Sequence, residues 1–450
     1  MKKFAVVLLS TVVCGTLASA KIINQFEPEK DTSAFKGKPE VSFSTDLTFN
    51  YQGLSQDYAL PSTSSFSPAT GLTTQTRTVD LQPGLSLPQA NFDINAKVMS
   101  GFNVKLETML SSHHHNETYV KGGYATIDNL DFIAPGFASD LMRNMTIKVG
   151  VDDINFGDDQ YRRSDNADVM RNPFIHNMGV ESYMQAPHIE VYYRIPAISS
   201  LIMVGITNGQ VNPDDVTNVE RSATSGSSNR PAGYAKFAFD NQLSDTLRVR
   251  ASESLYYVHG TNKGSSLYSG DKAGSVSRKI FDTDTRTSAN GGTNWTGWTN
   301  TDGDFGALWN ALSGFSDLTV SKTNLFTRFY DTELYAMLEL ADGADARDVD
   351  MKMMHYAFDV VQRFSNDKFF AAARYEHAVV EYKDYNPVTL ASTDLGDAEM
   401  TQWQLGLGWF LSKHAVAKLE YIDHKREKNS SFKGGDAEFK GYMISTALSF

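Results

Sequence analysis

VSFSTDLTFNYQ, residues 41–52, places Val41, Phe43, Thr45, Leu47, Phe49 and Tyr51 on one parity and Ser42, Ser44, Asp46, Thr48, Asn50 and Gln52 on the other. Strict alternation over this length is the period-2 signature of a strand with two unlike faces. In a soluble sandwich or a lipocalin-like barrel the apolar parity faces a core and the polar parity faces water. In a membrane barrel the apolar parity faces lipid and the polar parity lines a wet interior. The fold turns on which face is wet, and the rest of the chain has to decide it.

The first twenty residues, MKKFAVVLLSTVVCGTLASA, combine a basic start, an apolar stretch too short to span a bilayer, and small residues before Lys21. They read as a secretory signal peptide cut after Ala20. The Thr-Val-Val before Cys14 is a poor lipoprotein box, and cleavage removes this single cysteine, so disulfides do not hold the exported chain. Losing two lysines and no acids from a chain of 41 basic and 53 acidic residues takes the formal charge from -12 to -14. That balance argues against nucleic acid as a partner. No later apolar run reaches about 18 residues, which excludes helical spans but not a barrel with half-polar strands.

The opening pattern recurs to the last residue in fourteen further segments, among them Asn91–Val98, Phe102–Leu110, Thr246–Val258, Thr332–Ala341, Phe369–Tyr382, Thr401–Leu411 and Glu438–Phe450. Most are near the roughly 9–11 residues of a tilted membrane strand. Short connections (99–101, 240–242, 364–367, 412–414) alternate with long ones (53–90, 153–187, 209–232, 259 to about 316, 383–399, 425–437) rich in Ser, Thr, Gly, Asn and Asp. Short turns at one end and long loops at the other describe an outer-membrane barrel with its short end in the periplasm. With both termini periplasmic, the strands starting near Thr246 and Thr332 both run outward, so an inward strand is missing between them. The segment 317–328, although its alternation is poor, supplies it and brings the count to sixteen, with fourteen or eighteen as the other possibilities. Residues 304–315 read as a short loop helix. The expected organisation is a signal peptide at 1–20, a polar periplasmic tail at 21–40 with little room for a plug, and a single transmembrane antiparallel β-barrel, all-β, at 41–450.

The polar parity carries Asn91, Asp93, Asn95 and Lys97, then Lys105 and Glu107, Lys148 and Asp152, Arg248 and Arg250, Arg374 and Glu376, and Lys418 and Glu420. The opposite parity is apolar throughout, as in Trp403, Leu405, Leu407 and Trp409. A sandwich tolerates this pattern, but three features favour a barrel. Aromatics gather at segment ends (Phe49 and Tyr51, Tyr256 and Tyr257, Phe369 and Phe370, Tyr375 and Tyr382), where bilayer-interface girdles belong. Long strands in one undivided chain favour a closed sheet without exposed edges. The chain also ends GYMISTALSF, with Tyr442, Ile444, Thr446, Leu448 and the terminal Phe450 on one parity.

That ending resembles the C-terminal signature of Gram-negative porins, and the overall plan is similar to general-diffusion porins or, in size, to O/P-type porins. The resemblance implies a water-filled channel for passive diffusion of small hydrophilic solutes and ions, with no enzymatic step, cofactor or metal. It also implies a homotrimer in contact with outer-membrane lipid and lipopolysaccharide, handled by the barrel-assembly machinery through the strand ending in Phe450. The third outward loop, DINFGDDQYRRSDNADVMRNPFIHN, matches in position and length the loop that narrows the channel of trimeric porins, although it lacks their Pro-Glu-Phe-Gly-Gly tip. Asp158, Asp159, Asp165 and Asp168 there alternate with Arg162, Arg163 and Arg171. Opposed charges across a narrow aqueous gap create a transverse field that favours small polar solutes. Packed salt bridges holding the loop are the plainer reading. Expected wall partners are Lys97, Lys105, Lys148, Arg248, Arg250, Arg374 and Glu376, and no all-basic ladder points to anions. His113–His115 are three adjacent imidazoles that do not converge readily on one ion.

Two other functions fit less of the sequence. An outer-membrane hydrolase needs a Ser-His-Asn or Asp-His constellation at the correct depth, and no local motif such as G-x-S-x-G stands out. Adhesion through the long loops would use Trp295, Trp298 and Trp309 on glycans, but loop aromatics more often pack the loop itself.

Overall fold

The computed structural model describes residues 26–450 except 29, 59–62, 68–71, 87, 111–117, 165–169, 171, 210–230, 260–265, 269–279, 282, 290–293, 296–298, 301–314, 346–349, 387–390 and 428–435. The sequence alternation becomes sixteen long strands: β1 (Glu40–Tyr58), β2 (Gln89–Met99), β3 (Phe102–Leu110), β4 (Thr118–Ile127), β5 (Met145–Asp153), β6 (Gln185–Ile195), β7 (Ser200–Thr207), β8 (Ala232–Ser244), β9 (Leu247–Val258), β10 (Phe315–Phe329), β11 (Thr332–Asp345), β12 (Asp350–Phe364), β13 (Phe369–Asn386), β14 (Ala391–Ser412), β15 (Ala415–Glu427) and β16 (Ala437–Ser449). Each pairs antiparallel with the next, and β16 closes onto β1 from Asp46↔Ser449 to Tyr58↔Ala437. A two-residue strand at Gly84–Leu85 lies beside β1. Closure leaves no unpaired edge, which a bilayer would not tolerate. The chain is a closed, sixteen-stranded antiparallel β-barrel.

The wet face is now settled. On the outside Phe43, Trp403 and Leu405 are 63%, 52% and 55% exposed, whereas on the inside Asn91, Lys236, Glu376 and Arg374 are buried. The exterior aromatics form two girdles. Tyr375 packs on Trp403 at 4.5 Å and Tyr51 on Tyr442 at 6.2 Å toward the long-loop end, while Phe369 stacks on Trp409 at 6.1 Å toward the short-turn end. Leu405 and Leu407 lie between them on the same face of β14. This is an exterior for lipid, with amphipathic rings at its two interfaces.

Several expectations are refined. The missing inward strand is β10, and its alternation reads poorly because Leu318, Val320 and Phe326 point inward and are buried under loops that enter the barrel. The turn placed at 240–242 lies beyond Ser244, where β8 runs on with a register shift between Gln242 and Ser244. Tyr256 and Phe370 are buried inside and do not belong to a girdle, because adjacent strand residues face opposite ways. The connection from β4 to β5, residues 128–144, is a longer periplasmic excursion with a short helix at Ser139–Met142. Of the stretch 304–315, residues 304–314 lie outside the described residues.

The outward loops after β1 and β9 meet although these strands stand on opposite sides of the barrel. Leu72–Thr78 pairs antiparallel with Thr283–Ala289. Below this pairing the Phe281 N–H donates to Gln56 Oε1 at 2.7 Å, and the Phe281 ring packs on Phe439 at 5.6 Å and beneath the Arg426 guanidinium at 4.3 Å. The loop after β9 therefore crosses the outer mouth. It also sends Leu267, Tyr268 and Ile280 into an apolar cluster with the inward loop and inward residues of β1 and β6–β16.

Candidate pore and constriction

The loop between β5 and β6, residues 154–184, folds inward and is fastened by wall carboxylates. Glu420 accepts the Ile175 N–H at 2.5 Å and the His176 N–H at 3.1 Å, and its other oxygen lies 2.5 Å from His176 Nδ1. Glu376 accepts the N–H groups of Gly179 (2.9 Å) and Val180 (3.1 Å), and Glu190 accepts that of Asn155 (2.7 Å). A carboxylate that takes two backbone donors satisfies groups that a buried loop cannot leave unpaired. Gly157 sits at φ +76°, and a Cβ there would come within 2.5 Å of Lys322 Cδ. Glycine is required where the loop bends against the wall.

Among the described residues, the loop charges Asp158, Asp159, Arg162 and Arg163 meet their partners in direct contact. Asp158 is bound by Arg250 (2.7 and 2.8 Å) and Lys236 (2.7 Å), Asp159 by Lys322 (3.0 Å), Arg162 by Asp359 (3.5 Å), and Arg163 by Glu181 of the same loop (2.9 Å). Burial pushes the Asp158 carboxyl up, and the adjacent Arg250 and Lys236 outweigh it, leaving it below the usual carboxylate range. Arg374 grips Asp359 at 2.7 and 2.8 Å and lies over the Phe174 ring, while Arg248 holds Asp240. Lys97, Lys105 and Lys148 face the open space, paired with Asp31 (2.8 Å), with Asp93 and Glu107 (2.9 and 3.0 Å), and with Asp152, respectively. Asp165, Asp168, Arg171, His113–His115, Trp298 and Trp309 lie outside the described residues, and of Trp295 only the backbone is described.

The segment expected as a periplasmic tail enters the barrel. Phe26 is wedged edge-on between Tyr161 (6.0 Å) and Phe326 (5.5 Å) with the Arg250 guanidinium 4.1 Å from its ring. Glu27 bonds Lys236 at 3.0 Å and Arg250 at 2.9 Å. Lys30 donates to the carbonyls of Asp128 (2.6 Å), Met142 and Met145 (3.0 Å), so the segment is tied to the periplasmic rim before it turns into β1. It is short, yet a few residues suffice because the folded-in loop already occupies much of the lumen.

The Glu27 carboxyl is raised by burial but lowered more by Lys236 and Arg250, to about 2; Asp158 opposes them. With the docked value below the free value of about 4.3, docking is fully stabilised above that pH and weakens as pH falls toward 2. Amide protection of residues 26–33, measured by hydrogen exchange, is expected to hold at pH 5–7 and to fall as pH drops through this window.

A cavity of about 1260 Å³ lies on the β1–β6 side, bounded by the N-terminal segment, Asn155, Gln160 and Tyr161. Eight of its lining residues are Asp or Glu and five are Lys or Arg, an acidic surplus.

No protein-family model and no curated protein matches the chain. Solved structures to which it is similar include a loop L8 deletion mutant of OmpT, an outer membrane protein of Vibrio cholerae, at 14% identity over 92% of this chain and 99% of that chain, TM-score 0.48. Others are the outer membrane channel DcaP of Acinetobacter baumannii, at 11% identity over 92% and 99%, TM-score 0.49, and an anion-selective porin from Comamonas acidovorans, at 11% identity over 92% and 100%, TM-score 0.47.

Sequence reasoning passed over Glu27, Asp31, Lys121, Lys236, Lys322 and Asp359. Lys236 and Asp359 share the inward parity of their strands, so parity alone finds them. Lys121 hides behind a β-bulge: Glu107 faces Gly122 while Thr108 faces Val120, so one extra residue shifts the alternation before Tyr124 and Thr126.

Proposed function

We propose that the chain is an outer-membrane porin, a channel for passive diffusion of small hydrophilic solutes and ions with a preference for cations. The acid-rich cavity carries this reading: a polar, lysine- and carboxylate-lined space inside an apolar exterior suits hydrated solutes, and its surplus of carboxylates favours positive ones. Transport then follows the solute gradient, with no covalent step and no cofactor. The folded-in loop with Asp158, Asp159, Arg162 and Arg163 narrows the lumen and holds the far wall shut, so flow follows the Lys97–Lys105–Lys148 side. Asp165, Asp168 and Arg171 belong to the same proposed constriction, and Arg248, Arg250, Arg374 and Glu376 act as its anchors. A homotrimer in contact with lipid and lipopolysaccharide, delivered by the assembly machinery through β16, completes the proposal.

Planar-bilayer recording of the purified, refolded protein tests it. Stable conductance steps with potassium permeating better than chloride are the expected result. A folded, inserted barrel without steps overturns the reading.

A further inference from the structure

In building the lumen, the wall brings two cations, Lys236 and Arg250, to one place beneath the inward loop, where the loop offers them a single carboxylate, Asp158. The second carboxylate comes from the N-terminal segment: Glu27 lies 3.0 Å from Lys236 and 2.9 Å from Arg250. Four residues later Asp31 meets Lys97 at 2.8 Å where the cavity opens toward the periplasm. Between the two, Lys30 donates to the backbone carbonyls of Asp128, Met142 and Met145. Among the described residues, the segment therefore brings two carboxylates, Glu27 and Asp31, to cavity-side cations, while its lysine bonds backbone carbonyls.

We propose that residues 26–28 and 30–33 form a tethered counter-ion strap that sets the charge preference of the channel. This rests on the diffusion-channel reading. With the strap docked, the cavity keeps its acidic surplus. Without it, Asp31 is lost from the lining and Lys236 and Arg250 lose Glu27, leaving them opposed by Asp158 and, for Arg250, by Asp240 at 3.5 Å, so the acidic surplus shrinks. A fixed charge in a narrow aqueous lumen with low-dielectric walls acts on permeant ions far more strongly than one on the outer surface. Selectivity is then set by a piece of chain that is not part of the barrel wall.

Reversal potentials of the refolded mature chain, residues 21–450, in a potassium chloride gradient test this. Glu27→Gln is expected to lower the potassium-to-chloride permeability ratio at least about two-fold. Because that change also removes packing bonds, a second variant, Asp31→Cys, separates charge from structure. The mature sequence as read has no other cysteine, so the site can be modified after insertion. A negatively charged methanethiosulfonate should restore the ratio of the unsubstituted protein, and a positively charged one should lower it further. Glu27→Gln with larger steps and an unchanged ratio, or Asp31→Cys with a ratio indifferent to the sign of the reagent, overturns the strap. No steps from any variant or from the unsubstituted protein overturns the channel reading instead.

Discussion

Glu420→Ala is expected to release the inward loop while the barrel stays closed. The carboxylate is the acceptor for the Ile175 and His176 N–H groups and the partner of the His176 ring, and Gln404 also donates to it at 3.3 Å. Each buried N–H left without an acceptor costs about 1–3 kcal/mol, so loop docking weakens by roughly 2–5 kcal/mol. The strand pairing of β14, β15 and β16 uses backbone groups and is untouched. The measurable consequence is larger and noisier conductance steps, with faster amide exchange over residues 172–184. Glu420→Gln keeps one acceptor oxygen and should lose only about 1 kcal/mol. Equal step size and exchange in Glu420→Ala and the unsubstituted protein would remove Glu420 from the clamp.

The barrel was legible because its exterior obeys one rule along the whole chain. Every outward position must suit lipid, so the apolar parity persists whatever lies inside. The interior was less legible because it obeys two rules. Beside the cavity the inward residues are charged or polar, as at Asp93, Asn95 and Lys105, and the alternation is clear. Where loops enter, the inward residues turn apolar: Met351 and Met353 on β12, Leu318 and Val320 on β10. A strand with both faces apolar looks unpatterned, which is why β10 was located by counting directions and not by its own sequence.

The same distinction explains the candidate site. Arg250 and Arg374 were identified as inward charges by parity, but their partners Glu27 and Asp359 are 223 and 15 residues away in sequence, and no local pattern joins them. Among the described residues, Asp158, Asp159, Arg162 and Arg163 therefore form closed ion pairs, as the plainer of the two readings has it. Buried pairs of this kind fix loop position more than they add stability, since desolvation offsets much of their attraction. The polar segment before β1 was misread for a related reason: Phe26 and Glu27 look like ordinary tail residues until the lumen supplies an aromatic slot and two cations.

Leu405→Arg tests the exterior on which every functional statement depends. Leu405 lies between the girdles, with Ala373 and Tyr421 as its cross-strand neighbours, and more than half of its surface is open to the outside. An arginine near the bilayer midplane destabilises a barrel by about 2–4 kcal/mol. At an inward, cavity-lining position such as Asn95 the same substitution meets water, and the expected loss is about 1 kcal/mol or less. Reversible denaturant unfolding in phospholipid vesicles compares the two. Leu405→Arg should unfold at clearly lower denaturant, while Asn95→Arg should chiefly shift ion preference away from cations. The opposite ranking would mean that the alternation had been assigned to the wrong sides, and the wet lumen, its lysines and its acidic surplus would lose their meaning together.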